Sequence, residues 1–191
     1  ASKASAPATT CNAVPTSGYC RLYINASSGS FLTDIVAANI ANISVITDTA
    51  TSTDCKNINC AAKSLLSYIQ SKGGYAGMNG TYFCPPDYSS CSDKAYSFDF
   101  SVYNSGLSKW IRQDSLGNSG NALMAFTSSA AYFYPHSNSY TSLSGLKAAI
   151  SNFPGLVSNG SVIVGNYTLT SAQYTKGTRG GIAVKGSTVY L

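Results

Sequence analysis

The 191-residue chain contains seven aspartates and no glutamate, and only 10% of its residues are charged. Soluble domains usually carry about 25% charge, so Ser, Thr, Asn, Gly and Tyr must cover this surface. Helical bundles depend on Glu, Lys, Arg and Ala. Here Thr, Val, Ile, Tyr and Phe dominate, and these residues fit strands. The prediction is therefore a sheet-rich fold. Aromatic and β-branched residues are too frequent for a disordered chain. No apolar run approaches the length of a membrane span, so no span is expected.

Turn signals divide the chain into short runs. Residues 1–18 are rich in Ala, Ser, Thr and Pro without a period, and read as an extended arm or linker. The run 20–25 reads as a strand and the Ser-Ser-Gly-Ser after it as a turn. Residues 31–47 are apolar with mixed period, either a helix or two strands. Asn59 is placed to cap a helix over 60–72, with Leu65, Leu66 and Ile69 on one face and Gly73 as its stop. Residues 75–83 predict a strand ending in a tight Asn-Gly turn. Successive antiparallel hairpins are expected over 96–134. The stretch 142–155 predicts a short helix ended by Pro154. Two further hairpins are centred on Asn159-Gly160 and Lys185-Gly186. The expected class is α+β, a largely antiparallel central sheet with about two helices, in one domain over 19–191.

The six cysteines Cys11, Cys20, Cys55, Cys60, Cys84 and Cys91 show no C-x-x-C spacing, which removes zinc ribbons and thioredoxin-like motifs. An even count fits three disulfides, and the simplest pairing is local: 11–20, 55–60 and 84–91. Asn-x-Ser/Thr sequons at Asn25, Asn42, Asn79, Asn159 and Asn166 are candidate glycosylation sites. The chain begins with Ala and shows no apolar leader, as a trimmed exported protein does. Low charge, disulfides and sequons together predict an extracellular or cell-surface location.

Several chemistries are excluded by pattern. The twelve basic residues are scattered, and a net charge of +5 forms no nucleic-acid stripe. There is one histidine, His136, and no metal-ligand spacing, so no metal is expected. Neither G-x-S-x-G nor G-x-G-x-x-G occurs, and no cofactor is implied. Two segments stand out. Met78-Asn79-Gly80-Thr81-Tyr82-Phe83 offers an amide and bare backbone at a chain turn. Lys176-Gly177-Thr178-Arg179-Gly180-Gly181 offers a guanidinium fork on a glycine-rich loop, suited to phosphate or carboxylate.

Taken in order, these segments carry a resemblance. The 79–83 block, the Pro154-Gly155-Leu156-Val157 segment closing on Gly160, and Thr178-Arg179-Gly180-Gly181 before a terminal hairpin resemble the phosphodiester glycosidase family. That family has an Asn-Gly-Gly-Phe-Phe type block, a proline, leucine-valine and glycine segment, and an arginine-threonine-glycine segment. Asn79, Gly80, Pro154, Leu156, Val157, Gly160, Arg179 and Gly181 match; Thr81, Tyr82 and Gly180 depart. The family's terminal Asp-Gly-Gly-Ser type block, which supplies an acidic residue, has no counterpart before Leu191. The resemblance implies hydrolysis of a sugar-1-phosphate diester. Arg179 would hold the phosphate, Asn79 with the Gly80 backbone would position sugar or phosphate oxygens of a phosphorylated glycan, and Gly181 belongs to the same substrate-binding set. No aspartate matches the acidic position, so the catalytic residue is unknown. A second expectation is a non-catalytic subunit of an extracellular filament or surface layer. In that case the chain's partner is another copy of itself, joined when the arm adds as a strand to a neighbour's sheet.

Overall fold

The structure, a computed structural model, describes residues 10–191; the beginning of the arm, 1–9, lies outside the described residues. By their own contacts the described residues form two compact units, one from residues 10–43 and 180–191, the other from 44–179. The fold class is α+β, with antiparallel strands in three sheets.

In the first unit, β1 (Gly18–Ala26) and β2 (Gly29–Asn39) form a long hairpin in the register Gly18↔Ala37 to Ala26↔Gly29. The run 31–47 therefore contributes one strand, which a short 3-10 turn at Ile40–Asn42 ends. Asn39 caps that turn by accepting from the Ala41 amide at 2.9 Å. The last two strands of the chain, β10 (Ala183–Lys185) and β11 (Thr188–Tyr190), turn at Gly186 (φ 58°), and β11 pairs with β2. The sheet order is β1-β2-β11-β10. Cys20, Ile35, Ala37, Ile40 and Val189 are buried. The far end of the hairpin is open, with Tyr23 65% and Leu32 52% exposed. Arg21 and Tyr19 both donate to Asp34 across the strands, at 2.7 and 2.5 Å. The foot of the arm folds back on its own chain, through a parallel bridge from Thr10 to Arg21 and the Cys11–Cys20 disulfide.

The second unit is built on a sheet of β3 (Val102–Asn104), β4 (Lys109–Ile111), β5 (Ala122–Phe126), β6 (Ala131–Tyr134) and β7 (Ala148–Asn152), in the order β4-β3-β7-β5-β6. The hairpins expected over 96–134 are present. The helix expected over 142–155 is not: its centre is β7, which lies between β3 and β5. Ala148, Ala149 and Ser151 are fully buried there. Their small side chains let neighbouring layers close on both faces of a central strand, and that packing outweighs helix propensity. Leu123, Ala125 and Ala149 form a core against Tyr103, Trp110, Tyr134 and Tyr140. The Trp110 ring sits edge-on to Tyr103 and Tyr140, 5.5 Å from each.

Helix α1 (Leu65–Ser71) is shorter than expected. Ser64, rather than Asn59, is its cap, accepting from the Ser67 amide at 3.2 Å. Asn59 instead accepts from the Ala95 amide, and Cys60 is bonded to Cys55, so no helix starts there. Gly73 (φ 63°) stops α1 as the sequence indicates, but Leu66 is 61% exposed and leaves the apolar face. The hairpin β8 (Val157–Ser158) and β9 (Ser161–Val162) turns on Asn159 and Gly160, both at positive φ, as Asn-Gly hairpins require. A single turn, α2 (Ser171–Tyr174), follows. No helix of the described residues is long and apolar enough to cross a membrane.

Candidate functional site

The first block meets the end of β7, two residues before the second block begins. Asn152, its last residue, is paired with Ala122 of β5, and its Nδ2 donates to the Gly80 carbonyl at 3.1 Å. The 79–83 block therefore lies beside the residues that begin the 154–160 segment. No strand forms over 75–83. The order there comes from a bridge between Phe83 and Phe98 and from the Asp99 amide donating to the Tyr82 carbonyl at 3.0 Å. Nor does Gly80 adopt the positive φ of a tight turn. Its need is room: a Cβ would stand 2.7 Å from Ile150 Cδ1. Asn79 is exposed.

Three buried polar atoms at this end of the sheet lack a protein partner: Thr81 Oγ1, Asn121 Nδ2 and Asn152 Oδ1. Asn121 is 2% exposed and directly precedes β5. Each unpaired buried group costs roughly 1–3 kcal/mol. Together they offer an amide donor, an amide acceptor and a hydroxyl that is both. That set complements the hydroxyls and oxygens of a polar ligand. Sequence reasoning missed Asn121 and Asn152, because only the β5–β7 register brings them together.

Behind the cluster, Phe153-Pro154 is a cis peptide. Gly155 leaves space for the Tyr167 hydroxyl, which a Cβ there would strike. Tyr167 donates to the Pro135 carbonyl, and its ring packs edge-on to Phe153 at 5.6 Å and beside His136 at 5.7 Å. Burial raises the Tyr167 hydroxyl above its usual pKa. His136 Nδ1 is bound to the Ser119 carbonyl at 2.6 Å, a structural role for the single imidazole.

Arg179 is exposed and turned onto its own loop, donating from Nη1 to the Thr178 carbonyl at 3.0 Å and from Nη2 to the Thr175 carbonyl at 2.9 Å. No hydrogen bond among the described residues joins it to Asn79 or Gly80. Gly181 belongs to the first unit, where a Cβ would meet open space.

Among the aspartates, Asp34, Asp48 and Asp114 are ion-paired. Burial disfavours the Asp48 charge, but the Lys72 ammonium, the Thr49 amide and Asn104 overcome it and lower its pKa. Asp99 differs: burial raises its carboxyl, and Arg112 and Lys94 only partly oppose this. No group of three metal-ligating side chains occurs among the described residues. All six cysteines are bonded, in the local pairs 11–20, 55–60 and 84–91. These bonds fit an oxidising environment. The sequon residues Asn25, Asn42, Asn79, Asn159 and Asn166 are all exposed. Compared with protein-family models, curated proteins and solved structures, the chain has no match.

Proposed function

We propose that the chain is an exported phosphodiester glycosidase-like domain acting on a sugar-1-phosphate diester. The observation that supports this reading most is the meeting of Gly80 with Asn152, where Thr81, Asn121 and Asn152 present unpaired buried polar atoms. The Asn121 and Asn152 amides would hold sugar hydroxyls. Arg179 would take the phosphate, its fork matching two oxygens once it leaves the Thr175 and Thr178 carbonyls. In the reaction water attacks the anomeric carbon, the bond to the phosphate oxygen breaks, and a phosphomonoester departs. Holding the phosphate charge in place favours that departure. Phosphorus NMR of the chain with a methyl diester of N-acetylglucosamine-1-phosphate tests the reading. The expected result is release of methyl phosphate, slowed at least about tenfold by Arg179→Lys, because lysine lacks the fork. Neither turnover nor line broadening, or equal turnover by the lysine variant, would refute it.

The open β1–β2 hairpin favours a second reading, a non-catalytic subunit of an extracellular filament or surface layer. Tyr23, Ile24, Phe31 and Leu32 expose apolar surface at its far end, as contact surfaces do. β10 is an edge strand able to accept an added strand from a neighbour. Deleting residues 1–18 and measuring size by light scattering tests strand exchange. Assemblies that form in the full chain and vanish on deletion support it; a monomer at high concentration refutes it.

A further inference from the structure

A cavity of about 300 Å³ opens against the Cys84–Cys91 loop, and neither Asn121 nor Asn152 lines it. Its wall includes Phe83, Tyr88, Lys94 and Asp99, together with Asn57 and Ser90. The volume is at the small end of ligand sites, room for a single compact ring and its substituents.

The walls are held open rather than filled. The Cys84–Cys91 disulfide closes the loop, and Cys91 is 2% exposed. The Tyr88 backbone is fixed at both ends, its amide donating to Pro85 at 3.2 Å and its carbonyl accepting from Cys91 at 2.8 Å. The Phe83 ring is stacked on Tyr96 at 6.4 Å and 22°. Yet Phe83 and Tyr88 remain 46% and 59% exposed. Two aromatic side chains thus stand in water on a braced scaffold, which keeps the ordering cost of a ligand low.

The charges are as telling. Neither Lys94 nor Asp99 belongs to any of the ion pairs of the described residues. They sit in the same cavity without bonding to each other, so each has its hydrogen-bonding capacity left for a third party. A pyranose ring has an apolar C–H face that lies on an aromatic ring, and hydroxyls that donate to a carboxylate. An ammonium beside it selects a sugar that carries an acid.

We propose that this cavity is a saccharide-binding site for one uronic acid unit of a polysaccharide. The sugar face packs on Phe83 and Tyr88, its carboxylate meets Lys94, and its hydroxyls donate to Asp99. The site stands independently of the hydrolytic reading, since it needs binding and no turnover.

The test is calorimetric titration of the full chain with trigalacturonate and with a neutral galactose trisaccharide. The acidic sugar is expected to bind with a dissociation constant of about 1 mM or tighter, and at least about tenfold more tightly than the neutral one. Lys94→Met and Tyr88→Ala should each weaken it about tenfold, whereas Tyr88→Phe, which keeps the ring, should stay within about twofold. Tyr75→Ala removes an exposed ring that does not line the cavity and should change nothing. Unaltered Trp110 emission in each variant shows that the fold is kept. No heat from the unaltered chain at about 10 mM sugar, equal affinity for both sugars, unchanged affinity in Lys94→Met, or loss in Tyr75→Ala would overturn the assignment.

Discussion

Arg112 carries more of the second unit than its position at a strand end suggests. It is 6% exposed and has φ 58°, left-handed for a residue with a Cβ. Its amide donates to Asp54 Oδ1 at 2.7 Å, and its carbonyl accepts from Ser101 and, at 3.0 Å, from Ser115. Its guanidinium donates from Nε to Asp114 Oδ1 at 3.0 Å and from Nη1 to the Phe98 carbonyl. Arg112→Met keeps the stem and removes the head. The Phe98 carbonyl then loses its guanidinium donor, at about 1–3 kcal/mol. The lost ion pair adds only about 1 kcal/mol, because the Asp114 side chain is 45% exposed and still has Lys56 at 3.0 Å. The expected loss at pH 7 is roughly 2–4 kcal/mol.

The same variant has a pH signature. The Arg112 guanidinium, helped by Lys56, lowers Asp114 from 3.8 to about 2, overcoming the opposing effect of burial, which is second in size only to the Arg112 hydrogen bond. A carboxyl depressed in the folded state contributes stability that is present above its unfolded value, near 3.8, and lost as pH falls through about 2. The difference corresponds to at most about 2.4 kcal/mol, and solvent screening reduces it to about 1. The deficit of Arg112→Met should therefore shrink by about 1 kcal/mol between pH 7 and pH 2. Urea unfolding followed by Trp110, the single tryptophan, reads both quantities. A loss under about 0.5 kcal/mol at pH 7 would mean that the buried guanidinium is not holding the Phe98 carbonyl. A deficit equal at both pH values would refute its electrostatic contribution.

Three other outcomes are expected. Alkylation of the unreduced protein should add no mass, and opening all three disulfides should cost roughly 2–3 kcal/mol each; six alkylated cysteines would remove the basis for an oxidising compartment. Tyr167→Phe should lower stability by about 1 kcal/mol in thermal unfolding, since it removes the donor to Pro135 without changing the ring packing. Gly80→Ala should cost about 1 kcal/mol by pressing on Ile150, and Ile150→Val should recover part of that in a double-mutant cycle.

Much of the strand order was legible in the sequence because hairpins are local. Asn159-Gly160 and Lys185-Gly186 announce turns whose geometry only a few residues satisfy, and the short cysteine spacings announce their own pairing. Structure and sequence pattern part where distant packing decides. Leu146 to Ser151 has helix-forming composition, yet its alanines and serine are what a strand buried on both faces needs. Asn59 has cap chemistry, but the Cys55–Cys60 bond holds the chain there in another path. At the site, Gly80 stood out by motif for the wrong reason: a clearance against Ile150 rather than a turn. Asn121 and Asn152 gave no signal at all, since their proximity exists only once β5 and β7 are in register.

The three disulfides are consecutive along the chain, neither nested nor crossed. For a chain that emerges N-terminus first, each cysteine meets its partner before the next pair appears. Closing loops this short is fast, on the order of 10–100 ns for about ten residues, so oxidation, not search, sets the pace. Of the 15 ways to join six cysteines, sequential emergence selects one. A plain thiol oxidase acting as the chain emerges is then enough, and shuffling by an isomerase has nothing to correct.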